Sequence, residues 1–320
     1  MMAENKEVLV RMEDVRISFK RGTVERIVID HLNLDIFKGE ILGLVGESGS
    51  GKTTIGRAII RVVPVAKGKI FYNGQVISGD VEKHVARNLK TKVQMIFQDP
   101  SASLNERANV DYIVSEGLRA FHLYKDEAER LEKVNDIMRK VGLRPEHLKR
   151  YPHEFSGGQR QRIGIARSMV MQPEMIIADE PISALDVSIR AQVLNLIKKF
   201  QSENNMTVLF IAHDLSVVKY ISDRIAVIYA GQLVELAKAE RLFEVPCHPY
   251  TKSLLSAVPI PDPLMEKKKK IVTYDPSAHH YTSEDPAQLA EVEPGHFVRC
   301  DSKELAQYRE ICANFHEGGK

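Results

Sequence analysis

The sequence predicts an α/β fold whose core is a mostly parallel β-sheet covered by helices. Two patterns support this prediction. From residue 41 to residue 234, short β-branched runs alternate with longer helix-like segments, as in chains that build parallel sheets. Before them, residues 8–19 and 27–36 alternate apolar and polar side chains, which is typical of antiparallel strands with one solvated face. We therefore expect a parallel sheet accompanied by an antiparallel β subdomain.

The individual elements can be placed along the chain from the same patterns. Buried strands are expected at residues 41–45, 93–97, 175–178, 208–212 and 225–229. Asn73-Gly74 and Ala230-Gly231 stand where hairpin turns would fall. Charge-rich helical periodicity after residue 104 predicts an inserted helical subdomain, at about residues 104–170. The chain becomes proline-rich after Pro246, so residues 1–246 should form the main domain and residues 247–320 a C-terminal extension.

Composition narrows the class of protein. A hydrophobic fraction of 43% and a charged fraction of 28% are those of a globular chain. No stretch approaches the roughly 18–20 apolar residues of a membrane-spanning helix, and the first residues lack the apolar segment of a signal peptide. The three cysteines, Cys247, Cys300 and Cys312, form no CxxC pair, which favours a reducing compartment. We therefore expect a cytoplasmic protein.

Residues 46–53 match the pattern G-x-x-x-x-G-K-[ST] between an apolar strand and a helix-compatible segment. Glycines let successive backbone N–H groups face one anion at a helix N-terminus, whose dipole favours negative charge. Lys52 would reach the β- and γ-phosphates of ATP, and Thr53 would offer its hydroxyl to Mg²⁺. The alternative is an ordinary glycine-rich turn. The residues assigned to the nucleotide here are Gly46, Glu47, Ser48, Gly49, Ser50, Gly51, Lys52, Thr53 and Thr54.

An apolar run from residue 175 ends in two acids, Asp179 and Glu180. Neighbouring side chains on a strand point to opposite sides, so the two carboxylates are expected to have different tasks. We assign Asp179 to the metal ion and Glu180 to the general base that activates water. An isolated pair of this kind is more often a solvated end of a strand, and the phosphate loop upstream favours the functional interpretation.

Ser156-Gly157-Gly158-Gln159 precedes another helix-compatible segment and forms a second anion-binding helix start, which one nucleotide does not need from the same chain. With these motifs in this order, the chain resembles the ABC ATPase family, whose signature is usually LSGGQ; Phe155 replaces the leucine. The resemblance implies an ABC ATPase nucleotide-binding domain. It also implies that the signature of one subunit caps the γ-phosphate held by the phosphate loop of another.

Further positions match the family one by one. Gln98 stands where the family places a glutamine that contacts Mg²⁺ or the attacking water, and His213 where it places a histidine near the γ-phosphate. Ser183-Ala184-Leu185-Asp186 matches the loop that crosses the dimer interface. Phe19 matches the aromatic residue that stacks on adenine, although a phenylalanine ending a strand can equally belong to the core.

The segment beginning His248-Pro-Tyr-Thr resembles the region after the ATPase domain in importers of the oligopeptide, dipeptide and nickel type. Phe-Gln-Asp-Pro-Ser-Ala-Ser-Leu-Asn, from Phe97, is more similar to the second of their two ATPase subunits. The resemblance implies ATP and Mg²⁺ as cofactors and a second, non-identical ATPase subunit. It also implies two transmembrane permease subunits, an extracytoplasmic substrate-binding protein acting indirectly, and a position on the cytoplasmic face of the membrane.

Some members of this subfamily hold an iron–sulfur cluster on four tail cysteines. Only Cys300 falls near such a position, and four thiolates are the usual requirement, so we predict no cluster. The alternative function is that of a soluble ABC ATPase acting on nucleic acid or ribosomes. Against it stand the single phosphate loop, the lack of long heptads and a net charge of +2. An exporter ATPase is disfavoured by the segment at His248, and the transported solute cannot be identified from the chain.

Overall fold

The computed structural model describes residues 6–258 and 269–318. The predicted extension therefore lies outside the described residues at 259–268 and 319–320, and the predicted main domain at 1–5. The strands of the described residues are β1 (Val8–Arg21), β2 (Val24–Phe37), β3 (Ile41–Val45), β4 (Lys67–Tyr72), β5 (Gln75–Val76), β6 (Val93–Ile96), β7 (Met175–Asp179), β8 (Thr207–Ile211), β9 (Arg224–Tyr229), β10 (Gln232–Lys238), β11 (Gln288–Glu293) and β12 (His296–Cys300).

The helices alternate with these strands through most of the chain. Those of the described residues are α1 (Lys52–Ile59), α2 (Lys83–Lys92), α3 (Pro100–Ser103), α4 (Val110–Phe121), α5 (Glu127–Lys140), α6 (Gly157–Met169), α7 (Val187–Asn204), α8 (Leu215–Ile221), α9 (Ala239–Glu244), α10 (Pro249–Ala257) and α11 (Ser302–Gly318). Short 3-10 turns lie at Pro145–Lys149, Pro152–Glu154 and Pro276–Ala278.

The main sheet has the strand order β11-β12-β10-β9-β3-β8-β7-β6. The pairs from β9 through β3, β8 and β7 to β6 are parallel. Every residue of β3, β7 and β8 is buried, because helices or a second sheet cover both faces of these strands. This burial explains why the sequence shows them as continuous apolar runs and why their positions could be predicted to within one residue.

A four-stranded antiparallel sheet, in the order β2-β1-β4-β5, packs beside the main sheet. Alternate residues of β3 divide between the two apolar cores. Leu42 and Leu44 join the core shared with the antiparallel sheet, whereas Ile41 and Val45 join the core beneath the helical insert. The phosphate loop that follows β3 is thus anchored between two cores.

The helical insert consists of α4 and α5 packed against α6, as the periodicity predicts. Asn109 and Asp126 cap the first two of these helices by accepting hydrogen bonds from Tyr112 and Glu129 backbone N–H groups. Arg130, which is buried, donates to Asp111 at 2.8 Å and so ties α5 to α4.

The extension is more regular than its sequence suggests. The strand β12 pairs antiparallel with β10, and β11 pairs antiparallel with β12, so the two strands prolong the main sheet, although the sequence pattern predicts no strands there. The Asn73-Gly74 and Ala230-Gly231 turns are confirmed between β4 and β5 and between β9 and β10. Several side chains of β11 remain at least partly exposed. Buried and exposed positions therefore do not alternate clearly along this strand, and the sequence pattern does not reveal it.

Candidate functional site

The loop between β3 and α1 is shaped by glycines in conformations that other residues rarely adopt. Gly46 has φ 154° and Gly51 has φ 102°. A Cβ at Gly46 would lie 2.1 Å from the carbonyl oxygen of Ile228, and one at Gly51 would lie 2.4 Å from Ile29 Cδ1. The glycines therefore serve both backbone conformation and close packing, and they let the loop curl at the start of α1.

Lys52 is the first residue of α1 and is only 5% exposed. Its Nζ donates hydrogen bonds to the carbonyl oxygens of Gly46, at 2.8 Å, and Glu47, at 2.7 Å. Burial lowers the pKa of Lys52, while the carboxylates of Glu180 and Asp179 oppose that shift. A buried ammonium group at a helix N-terminus makes this loop a place where an anion is electrostatically favoured.

Asp179 ends β7 beside the loop, and its Oδ1 accepts a 2.7 Å hydrogen bond from Thr53 Oγ1. Burial raises the pKa of Asp179, and the hydrogen bond from Thr53 partly counters that effect. A cation near Asp179 would therefore stabilise the ionised form of this buried carboxylate. Two adjacent oxygen donors of this kind are the ligands that Mg²⁺ prefers, so the residues fit a magnesium ion.

Glu180 faces a different set of partners. Its Oε2 lies 3.0 Å from Gln98 Nε2, which donates to it, and 3.2 Å from His213 Nδ1. The two acids contact different partners, but strand alternation does not explain this difference. Glu180 lies beyond the end of β7, in a left-handed turn with φ 45°.

One cleft of about 780 Å³ is lined by residues of the phosphate loop together with Gln98, Glu180 and His213. Phe19 is 45% exposed on β1 and therefore does not belong to the core. Sequence reasoning missed Arg26 and Val28. The register of the β1–β2 hairpin places Arg26 opposite Phe19. Predicting a hairpin turn at residues 22 and 23 would therefore have identified Arg26 as a neighbour of Phe19. The predicted residues in the lining are Phe19, Ser48, Gly49, Gly51, Lys52, Thr53, Thr54, Gln98, Glu180 and His213.

Four other predicted residues, Gly46, Glu47, Ser50 and Asp179, lie in or behind the loop but do not line the cleft. Ser183 of the predicted interface loop donates from Oγ to the carbonyl oxygen of Glu180 at 3.0 Å. That loop is therefore attached to the backbone of the residue whose carboxylate faces the cleft.

The second predicted anion site lies at the start of α6 and stands apart from the cleft. Ser156 caps α6: its Oγ accepts from Gln159 N–H, while Gln159 Oε1 accepts from Ser156 N–H. Ser156 and Gly157 are exposed, and a Cβ at Gly157 would meet no atom within 4 Å. None of Ser156, Gly157, Gly158 or Gln159 lines the cleft that contains Lys52.

Comparisons with known proteins agree with this geometry. Residues 29–183 match the family model described as ABC transporter, and residues 234–283 match the model of the oligopeptide/dipeptide transporter C-terminal region. The oligopeptide transport ATP-binding protein AmiF of Streptococcus pneumoniae is 61% identical over 95% of this chain and 98% of its own length. The chain belongs to the ATP-binding subunits of ABC transporters, in the oligopeptide/dipeptide branch.

Two further comparisons support this assignment. The oligopeptide transport ATP-binding protein OppF of Streptococcus pyogenes is 59% identical over 95% of this chain and 98% of its own length. The dimeric ATP-binding cassette MJ0796, solved in a post-hydrolysis state with ADP and Pi, has a TM-score of 0.66 and 25% identity over 72% of this chain and 99% of that one. The protein is an ABC ATPase with the predicted fold class.

In this ABC ATPase, no helix of the described residues is both long and apolar enough to cross a bilayer. The extension brings Cys247, His296 and Cys312 together in a buried trio whose ligand atoms lie within 4.8 Å of one another. Cys300 lies in the same apolar cluster but outside the trio. Spacing along the sequence gave no sign that Cys247 and Cys312, 3.7 Å apart at sulfur, are neighbours.

The trio is stabilised by its own contacts. The ring nitrogens of His296 lie 2.8 Å from Glu235 and 3.2 Å from Glu293, so both face carboxylates. Burial raises the pKa of both Cys247 and Cys312, and metal ions bind the thiolate rather than the thiol. To bind here, a metal ion would have to replace one of the carboxylates that contact His296. It would also have to displace the protons of the Cys247 and Cys312 thiols. That the tail holds no iron–sulfur cluster stays a prediction.

Proposed function

We propose that this ABC ATPase energises the import of oligopeptides or dipeptides. It would act on the cytoplasmic face of the membrane, bound to two permease subunits and served indirectly by an extracytoplasmic substrate-binding protein. The names of AmiF and OppF, together with the match of residues 234–283 to the oligopeptide/dipeptide C-terminal region, support this proposal.

The pairing of two ATPase chains in this transporter is a further part of the proposal, and the separation of the two anion sites carries it. Lys52 lines the cleft, whereas Ser156 and Gly157 are exposed elsewhere on the same chain. Both are helix starts suited to phosphate. Two chains facing head to tail would let each signature cap the nucleotide of the other, and MJ0796 is described as dimeric. We infer that the partner ATPase is a similar but non-identical subunit.

Within one half-site, the loop backbone and Lys52 would hold the β- and γ-phosphates, and exposed Phe19 would stack on adenine. Thr53 and Asp179 would hold Mg²⁺, with Gln98 near it. The ion would neutralise charge on the phosphates when bound. Ser156, Gly157, Gly158 and Gln159 would contribute backbone and hydroxyl donors to the opposite nucleotide.

Glu180 would act as the general base. Gln98 and His213 both contact Oε2, so Oε1 is the oxygen that can accept a proton from an attacking water. The same two contacts fix the orientation of the carboxylate, which general-base catalysis requires. His213 would also lie near the γ-phosphate that water attacks, and so connect the carboxylate to it.

Reconstitution into liposomes tests the proposal. The chain would be assembled with its partner ATPase, the two permeases and the substrate-binding protein, and uptake of labelled di- to hexapeptides would be measured with ATP inside. We expect peptide uptake that needs both ATP and the binding protein. Uptake of nickel or an oligosaccharide but not of peptides would refute the peptide assignment while keeping the importer. ATPase activity that responds to RNA or ribosomes and to no permease would refute both.

A further inference from the structure

The first helix of the extension reaches the back of the phosphate loop. Tyr250, in the first turn of α10, accepts a 3.0 Å hydrogen bond at its hydroxyl from the backbone N–H of Glu47. The two residues are 203 positions apart in sequence. Tyr250 is 1% exposed and does not line the cleft, so it acts from behind the loop.

The hydrogen bond to Tyr250 acts on the peptide group between Gly46 and Glu47. The N–H of Glu47 and the carbonyl of Gly46 belong to the same planar, trans unit, whose two polar groups point in opposite directions. The carbonyl oxygen of Gly46 accepts from Lys52 Nζ at 2.8 Å. The hydroxyl of Tyr250 and the ammonium group of Lys52 therefore hold the two ends of one peptide.

That peptide would be easy to rotate without such a restraint. Gly46 stands on its N-terminal side with φ 154°, and glycine imposes little steric resistance to reorientation. A backbone N–H also needs an acceptor, and the hydroxyl of Tyr250 supplies the one for Glu47. Rotation would carry the Gly46 carbonyl oxygen away from Lys52 and release the ammonium group from its present position.

The tyrosine itself is held by aromatic neighbours from both β9 and the extension. Its ring centroid lies 4.5 Å from that of Tyr229, at the end of β9, and 5.5 Å from that of Tyr274. His248 caps α10 by accepting from the Tyr250 N–H, and its ring stacks on His279 at 5.1 Å. Burial raises the pKa of Tyr250 to about 12, so the hydroxyl stays protonated at neutral pH.

We propose that Tyr250 is a positioning residue of the ATPase site, through which the C-terminal extension fixes the Gly46–Glu47 peptide and the ammonium group of Lys52. The extension is then part of the phosphate site and not only an appendage that follows it. Its contribution is to nucleotide affinity, because Lys52 faces the phosphates both before and during reaction.

The test compares Tyr250→Phe with Tyr274→Phe in the full-length chain. Each removes one hydroxyl from the same aromatic cluster and keeps its ring, but only the first removes the acceptor of Glu47. By calorimetric titration, we expect Tyr250→Phe to weaken ATP and ADP binding about threefold to tenfold, and Tyr274→Phe to leave it unchanged. In the reconstituted transporter, KM for ATP should rise with kcat unchanged. Wild-type affinity in Tyr250→Phe, or equal losses in both variants, would overturn the proposal.

Hydrogen exchange of the Glu47 backbone amide reports directly on its hydrogen bond to Tyr250 and distinguishes that bond from general packing. By NMR, the Glu47 amide should exchange about tenfold faster or more in Tyr250→Phe, because its hydrogen bond is lost. The same amide should be unaffected in Tyr274→Phe, and the thermal midpoints of the two variants should be similar. Faster exchange at Glu47 together with unchanged nucleotide affinity would show that the hydrogen bond exists but does not position the nucleotide site. That result would overturn the role given to Tyr250.

Discussion

Gln98 Nε2 donates a 3.0 Å hydrogen bond to Glu180 Oε2 and so joins the segment after β6 to the turn after β7. Gln98 is exposed, whereas the side chain of Glu180 is only 18% exposed. A movement of the segment that follows Gln98, which leads into the helical insert, would therefore change the orientation of the carboxylate. We propose that this contact couples the insert to the chemistry of the site.

Replacement of Glu180 by glutamine tests its assignment as the base. The amide keeps the shape of the side chain and an oxygen for Gln98 but cannot take a proton. We expect ATP binding to persist, turnover to fall about a hundredfold or more, and ATP-bound dimers to accumulate. Steady-state hydrolysis and gel filtration with ATP measure this. Glu284→Gln, at an exposed position, is the control, and near-normal turnover in Glu180→Gln would show that another group is the base.

Lys52→Ala should weaken nucleotide binding itself. The ammonium group is buried among loop carbonyls at a helix start, where a charge-assisted contact with phosphate acts in the ground state as well. Titration of the isolated chain with ATP should show a loss of about tenfold or more. Lys90→Ala, at an exposed position of α2, should bind ATP normally. An unchanged affinity in Lys52→Ala would refute the role of this lysine.

The parts of the site that sequence reasoning found are those encoded locally. The loop at residues 46–53 is recognisable because its glycines, lysine and threonine must stand at fixed spacing to curl around an anion. Gln98 and His213 were placed only through family resemblance, since a lone residue after a strand has no pattern of its own. The turn at Glu180 was missed because a left-handed conformation of a non-glycine residue leaves no signal in the sequence.

Contacts between distant segments lay beyond prediction. Tyr250 meets Glu47 across 203 positions, and Cys247 meets Cys312 across 65. No periodicity relates residues so far apart, since such pairs depend on how the extension docks on the sheet. The strands β11 and β12 were missed for the same reason: the pairing of β12 with β10, which brings β11 into the sheet, depends on tertiary docking more than on local propensity.

The signature serine offers a test that separates helix capping from phosphate binding. Ser156→Asp and Ser156→Asn both keep an N-cap acceptor for α6, but only aspartate would face the γ-phosphate of the partner with a negative charge. We expect ATP affinity of the isolated chain to stay within about twofold of normal in both. Hydrolysis by the assembled transporter should fall about tenfold further with aspartate than with asparagine. Equal losses, or weakened ATP binding in the isolated chain, would contradict a shared site.

The tail is expected to hold no iron–sulfur cluster. The chain has three cysteines, one fewer than the four thiolates such clusters usually require, and Cys300 lies outside the Cys247–His296–Cys312 trio. Protein purified without oxygen should be colourless, with no stoichiometric iron or sulfide. A broad visible absorption band that disappears in Cys300→Ser but not in a matched surface Ser302→Ala variant would overturn this prediction.

Hydrolysis should require two ATPase chains. Lys52 and Ser156 each lie at a helix start suited to phosphate, yet only Lys52 lines the cleft of its own chain, so in the proposed mechanism a single chain would present half of each site. Specific activity should therefore fall when the isolated chain is diluted and recover when the partner ATPase is added. The measurement is hydrolysis per chain against concentration, with the oligomeric state followed by light scattering. Full activity from a proven monomer would refute the shared site, whereas full activity from a homodimer would refute only the requirement for an unlike partner.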